Sequence, residues 1–140
     1  MLPVDSRGRL LLLHGFDPAD PGHPYWFTIG GGTDPGESMA EAAARELREE
    51  AGIDVDAVSL GEPVWRRATE FSFDGTRYQQ EEEYFLLRAD LGEVSLDGMD
   101  DSEKETVTGY RWLSPAELES LGEPFFPAEL PRLLRELTST

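Results

Sequence analysis

Cysteine is absent from this chain. That excludes disulfide staples, thiolate zinc sites and cysteine nucleophiles. Long apolar runs are absent too. The longest lies near Leu10 to Leu13, too short for a membrane-spanning helix or the apolar core of a signal peptide, so a cytoplasmic location is expected. Positive charge is scarce: 12 Lys and Arg stand against 29 Asp and Glu, for a net charge of −17. Such a surface repels polyanions, which argues against nucleic-acid polymers as partners. A small phosphorylated substrate would meet the same repulsion unless cations neutralised its pocket. No Ser-His nucleophile motif, internal repeat or low-complexity tail is found.

What remains is enough for a globular protein. A chain of 140 residues, 39% hydrophobic and with three Trp and seven Phe, supports one domain with a sizeable core, read here as residues 1–140. Arg9 to Leu13 reads as a buried strand and His14 to Pro24 as a Gly/Pro/Asp-rich loop, its two histidines being turn or solvated residues rather than ligands. Tyr25 to Ile29 then reads as a short strand. A further strand is expected near Val58 to Leu60. Asp74-Gly75 marks a two-residue hairpin turn that places Arg67 opposite Glu82, Thr69 opposite Gln80 and Trp65 opposite Tyr84. Those residues share a face with Phe71, Phe73 and Tyr78, which reads either as a ligand cleft with Trp65, Phe71, Arg67 and Glu82 as substrate contacts, or as a cross-strand salt bridge beside ordinary packing. Leu91 to Thr108 is charged and irregular, an expected exposed loop. Tyr110 to Leu113 should be a strand. Ser114 to Glu117 opens a helix with a capping box, and Leu130, Leu133, Leu134 and Leu137 mark a final amphipathic helix. Strands and helices mixed in this order predict an α/β fold, a sheet covered by helices on both sides.

The segment Gly31 to Ile53, GGTDPGESMAEAAARELREEAGI, carries the chemistry. Ser38 followed three residues later by Glu41 is a capping box that starts a helix. Ala40, Ala43, Ala44, Leu47 and Ala51 form one apolar stripe, and Gly52 suits the left-handed position that ends the helix. Glu46, Glu49 and Glu50 fall on a second face at i+3 and i+4 steps. Three carboxylates so close repel one another, and a bound hard cation such as Mg²⁺ or Mn²⁺ removes the conflict. A merely solvated acidic face is the plainer reading of an isolated ExxEE. Glu37 and Arg45 have opposite charge and read as an ion pair pinning the glycine loop to the helix.

The complete pattern, Gly31, Glu37, Arg45, Glu46, Leu47, Glu49, Glu50, Gly52 and Ile53, resembles the signature of the Nudix hydrolases. The likeness extends to the strand before the glycines and to the later Trp-Leu-Ser strand followed by a helix. It implies that family's α/β/α sandwich with a mixed central sheet. It also implies Mg²⁺-dependent hydrolysis, with Mn²⁺ able to substitute, of a nucleoside diphosphate linked to another group. By the same resemblance Glu46, Glu49 and Glu50 would be metal ligands and the Gly30 carbonyl would assist. A further glutamate, Glu105 or else Glu103, would come from the stretch before Trp112, and the general base would be Glu105 or Glu46. Dimers are common among relatives, so a homodimer is an allowed state. Where many members carry Pro-Gly-Gly this chain has Ile29-Gly30-Gly31-Gly32, which loosens the turn without removing a ligand. The proline of ADP-ribose hydrolases and the tyrosine of dinucleoside polyphosphate hydrolases are both missing, with Thr69 and Phe71 in that region. The non-catalytic alternative is a Nudix-like domain that senses a nucleotide or binds a protein. Isoprenoid diphosphate isomerases of this fold would need a cysteine.

Overall fold

The run of leucines becomes β2 (Leu10–Asp17), the strand on which the other layers are built. Leu10 to Leu13 are all at most 1% exposed because alternate side chains enter two different cores. Leu11 and Leu13 join Ile29, Leu47 and Phe85 on one face, while Leu10 and Leu12 join Trp26, Leu113, Leu118 and Leu130 on the other. Burying each such leucine contributes about 2 kcal/mol. The computed structural model describes residues 1–30, 32–88, 90 and 93–138. Gly31, the first residue of the motif, lies outside the described residues.

The sheet is mixed. Strand β7 (Val107–Leu113) runs antiparallel along one edge of β2. The other edge is shared by β1 (Leu2–Val4) and β3 (Asp20–Phe27), both antiparallel. Beyond them lie β6 (Leu86–Arg88), parallel to β1, and β8 (Phe125–Phe126), parallel to β3. Helix α1 (Met39–Ala51) packs on the first core, and α3 (Pro115–Glu119) and α4 (Leu130–Thr138) on the second, so the architecture is the α/β/α sandwich expected. Among the described residues no helix is long and apolar enough to cross a membrane. The hairpin of β4 (Trp65–Phe73) and β5 (Thr76–Tyr84) has the expected register, including Trp65 with Tyr84, Arg67 with Glu82 and Thr69 with Gln80. Asp74 and Gly75 both take positive φ, 50° and 78°, as a two-residue turn of this hand requires. The Asp74 N–H donates to Asp17 Oδ1 at 2.9 Å, tying the hairpin tip to the β2–β3 turn.

Several local expectations are corrected. His14 to Pro24 is not a loop but most of a hairpin, with Asp17 paired to Asp20 and the Ala19 N–H held by Asp17 Oδ1. Its prolines are tolerated because residues 20–23 are exposed and a register shift interrupts the pairing between Gly15 and Asp17. The expected strand at Val58 is a 3₁₀ turn, Ala57–Leu60. Asp56 Oδ1 accepts from the Val58 N–H and the Asp56 carbonyl from Ser59, leaving Val58 87% exposed. The expected loop before Thr108 contains α2 (Asp101–Thr106), capped reciprocally by Asp100 and Glu103, with Val94 and Met99 buried ahead of it. Leu91 and Gly92 of that segment lie outside the described residues.

Two close approaches seat α2. A Cβ on Gly15 would stand 2.5 Å from the Thr106 carbonyl oxygen and 3.2 Å from the Phe27 ring, so the bare glycine lets the end of α2 rest on the sheet. A Cβ on Gly98 would stand 2.8 Å from the Glu49 carbonyl oxygen, and the Ser95 N–H donates to the Ala51 carbonyl at 2.8 Å. The chain therefore crosses the last turn of α1 immediately before α2 begins.

Candidate active site

Helix α1 starts and stops where its sequence dictates. The Ser38 side chain accepts from the Glu41 N–H while the Glu41 carboxylate accepts from the Ser38 N–H. Gly52, at φ 71°, donates to the Arg48 carbonyl, and Ile53 folds back to donate to Leu47 at 3.4 Å. Ala43, Ala44, Leu47 and Ala51 face the core, and the small alanines let the helix lie close to the sheet.

Arg45 ties the glycine loop to the helix, as its pairing with Glu37 predicts. Its guanidinium grips Glu37 through Nε and Nη2, both at 2.9 Å, and Nη2 also donates to the Gly32 carbonyl at 2.9 Å. Nη1 donates to Glu46 Oε1 at 2.8 Å and to Glu49 Oε2 at 3.3 Å. Together with the Asp34 N–H, the Arg45 fork holds the Glu37 carboxyl down at about 2, against an ordinary 4.5. Because that folded value is depressed, Glu37 contributes stability that is complete above about pH 4.5 and is lost as pH falls towards 2. We expect the gap in melting temperature between wild type and Glu37→Gln to be widest above pH 4.5 and to close towards pH 2. A gap unchanged across that range would show that the carboxylate adds no pH-dependent stability.

Glu46, Glu50 and Glu103 converge, each offering an oxygen within 4.8 Å of the others. Glu46 is 8% exposed and Glu50 2%. Burial pushes the Glu50 carboxyl well above the usual carboxylate range, and the hydrogen bond and charge of Glu46 and the charge of Glu103 push the same way; a backbone hydrogen bond from Gly30 opposes them. Burial raises Glu103 as well. Among the described residues, Glu50 Oε1 is buried without a hydrogen-bond partner. Three converging carboxylates, one of them with an orphaned oxygen, fit a hard divalent cation, which prefers such oxygens.

Each residue anticipated from sequence can now be located. Glu46 and Glu50 stand in the cluster. Glu49 flanks it, held by Arg45 and adding its charge to the field at Glu103. Gly30 adjoins Glu50 through its backbone. Glu105 is exposed and stands outside the cluster, because two residues along a helix turn the side chain about 200° away from Glu103. The Asp100-x-x-Glu103 capping box would have revealed α2, by the same rule that found Ser38 and Ser114.

The hairpin residues are brought together only in part. Arg67 Nε donates to Glu82 Oε1 at 2.6 Å, and Glu82 also accepts from Gln80 and from the Tyr84 hydroxyl. The Arg67 guanidinium lies 5.8 Å from the Trp65 ring centre, and Trp65 and Tyr84 are 5.1 Å apart. These groups satisfy one another, the arrangement of a cross-strand salt bridge beside packed rings. Phe71 is stacked on Tyr78 nearer the turn, away from that cluster. The cluster is electrostatically close to the glutamates: the buried Met1 amino group, which donates to the Ile29 carbonyl, feels Glu50, Glu82 and Glu46 together. His14 bonds Thr108 and Glu123, and His23 bonds Asp20, so both are occupied within the fold.

This loop-helix, seated on a mixed sheet between helical layers, matches a family model described as NUDIX domain over residues 1–136, and the chain belongs to that family. It is 33% identical over 111 residues to an RNA pyrophosphohydrolase of Erythrobacter litoralis (strain HTCC2594), a match covering 71% of this chain and 65% of that protein. Thus the chain spans a little under two thirds of that relative's length. Its fold is similar to the E. coli dihydroneopterin triphosphate pyrophosphohydrolase, with a TM-score of 0.65 at 20% identity over 96% of this chain and 90% of the other. A C. elegans Ap4A hydrolase in a binary complex gives a TM-score of 0.63 at 21% identity, over 98% and 90% of the two chains.

Proposed function

We propose that this Nudix protein is a cytoplasmic pyrophosphohydrolase. It cleaves a phosphoanhydride bond in a nucleoside diphosphate linked to another group, such as a nucleoside triphosphate or nucleotide sugar, by attack of water on phosphorus. The observation carrying this reading is the convergence of three carboxylates, one of which, Glu50, has a buried Oε1 without a partner among the described residues. Relatives named RNA pyrophosphohydrolase and putative 8-oxo-dGTP diphosphatase support the reaction class without selecting the substrate.

Glu46, Glu50 and Glu103 would hold Mg²⁺, or Mn²⁺ in its place, with Glu49 and the Gly30 backbone beside them. A cation bound there supplies neutralisation of phosphate charge and a lowered pKa for water. Arg45 holds Glu46 and Glu49 in place through its hydrogen bonds and ties the glycine loop to the helix. Glu103 is the general base of the proposal, as the member of the cluster partly open to solvent. Trp65, Arg67 and Glu82, already paired with one another, would contact the substrate beside the glutamates; Phe71, near the turn, is not part of that set. The non-catalytic alternative has no observation in its favour, because every glutamate of the motif is in place.

The test is a hydrolysis screen of nucleoside triphosphates and their oxidised forms, ADP-ribose, nucleotide sugars and dinucleoside polyphosphates, with and without Mg²⁺. No cleavage of any would end the proposal. Within it, Glu103→Gln should weaken Mn²⁺ binding, followed by electron paramagnetic resonance, and slow turnover by about 10²–10⁴. Glu105→Gln should leave both close to wild type. The reverse result would restore Glu105 to the site.

A further inference from the structure

We propose that the outer edge of β4 pairs antiparallel with the same edge of a second copy of this chain, joining two hairpins across a two-fold axis. The threading of the chain leaves this edge free. The Tyr84 carbonyl accepts from the Val64 N–H at the base of β4, and the next carbonyl, that of Phe85, accepts from the Leu2 N–H of β1. Successive carbonyls of an extended chain point to opposite sides, so β4 and β1 flank the β5–β6 run from opposite sides. That makes β4 the outermost strand, and among the described residues it pairs with β5 alone. The hairpin turn fixes which groups the edge offers. Phe73 and Thr76 flank a two-residue turn and exchange both backbone hydrogen bonds, as do Phe71, Thr69 and Arg67 with their partners. The N–H and C=O groups of Arg66, Ala68, Glu70 and Ser72 point the other way, out from β4.

A two-stranded ribbon is marginal in water by itself. This one is anchored at its base by Trp65 and Tyr84 in the second core and at its tip by Asp74, while Ala68, Glu70, Ser72, Arg77, Gln79 and Glu81 between them are exposed. No proline or lysine blunts the β4 edge. Charge identifies the occupant. Repulsion between copies of net charge −17 directs self-contact to a surface that is not acidic, and β4, with two Arg against one Glu, is such a surface. Charge also selects the register. A two-fold axis through Ala68 sets Arg66 opposite Glu70 of the second copy twice over, with two small alanines at the axis. An axis through Glu70 sets two carboxylates face to face, and one midway between them pairs no opposite charges. The Ala68 register brings Phe71 opposite Trp65 of the second copy, although the two stand about 20 Å apart along one strand. It also covers part of the inner face on which Phe71 and Tyr78 are 40% and 42% exposed.

The contact does not rest on the hydrolase reading and is tested on the whole chain without nucleotide. Sedimentation equilibrium should show the mass rising from one chain towards two as concentration increases. In the dimer, hydrogen exchange should slow at the amides of Arg66, Ala68, Glu70 and Ser72, while those of Arg67, Thr69 and Phe71 are slow at every concentration. Ala68→Pro removes an outward N–H and no bond to β5, so it should weaken association at least roughly tenfold with the fold retained. Arg66→Glu and Glu70→Arg should each weaken it roughly tenfold as well. Combining the two should restore the dimer. The chain's own pairs cannot produce that rescue, because within one hairpin Arg66 bonds Glu83 and Glu70 bonds Arg77. A chain that stays single at its highest soluble concentration, leaving the edge to some other strand, would overturn the proposal. So would a dimer indifferent to Ala68→Pro and to the charge exchange, or one whose slowed amides lie on β7 instead.

Discussion

Replacing Glu50 with Gln should abolish turnover and, in EDTA, make the protein more stable. The wild-type side chain is 2% exposed, carries an oxygen with no partner among the described residues and converges with Glu46 and Glu103. A neutral amide of the same shape keeps the Gly30 hydrogen bond and removes the repulsion, a gain of about 1–3 kcal/mol. For a domain of this size that is several degrees of melting temperature. The pH dependence has a definite sign. The folded carboxyl is raised, so the metal-free wild type is most stable below the unfolded value near 4.5 and loses stability as pH rises through the folded one. Glu50→Gln should lack that loss. Saturating Mg²⁺ should reverse the order, raising the wild-type melting temperature by linkage and hardly moving the variant. Turnover should fall by at least about 10², as expected when a carboxylate of the reacting centre is lost. A variant that melts below wild type in EDTA, or hydrolyses nucleotide at near-normal rate, would show that the orphaned oxygen has another purpose.

The second large effect is expected at Arg45. One guanidinium satisfies Glu37, Glu46, Glu49 and the Gly32 carbonyl. Arg45→Ala strands two carboxylates, the half-buried Glu37 and the buried Glu46. Removing the guanidinium leaves both carboxylates without their charged partner and should lower the stability of the domain. Urea unfolding should show that loss, and kcat/KM should fall more than a hundredfold, because Glu46 and Glu49 lose their anchor. Arg45→Lys should recover only part of either, since an ammonium cannot reproduce the two-pronged grip on Glu37. Wild-type urea stability in Arg45→Ala would refute the anchoring role.

Both predictions depend on α1, the part of the molecule easiest to read in advance. Its caps, alanine face and glutamate face each follow from spacing along one helix, and the Arg45–Glu37 pair needs only charge and proximity in sequence. The β4–β5 register was equally local, set by the Asp74-Gly75 turn. Harder features depend on distant partners. Residues 20–24 look like a loop because three prolines interrupt Pro18 to Pro24, yet β2 supplies pairing partners that no local pattern announces. The place of Glu103 depends on α2 crossing α1 at Gly98 and settling on Gly15, contacts more than forty residues apart in sequence. The hairpin face was legible as a set of neighbours, but whether Arg67 waits for a ligand or serves Glu82 is decided by side-chain geometry.

The vacancy at position 15 also bears on how this protein can change over generations. A single methyl there collides with backbone rather than with a yielding side-chain tip, so the strain must travel into the short helix bearing Glu103. Residue 15 is far from the acidic motif in the sequence, yet it sets the height at which one of the converging carboxylates stands. Lineages that repaint the surface or exchange substrates are free to alter most of the chain, but this floor has to stay bare.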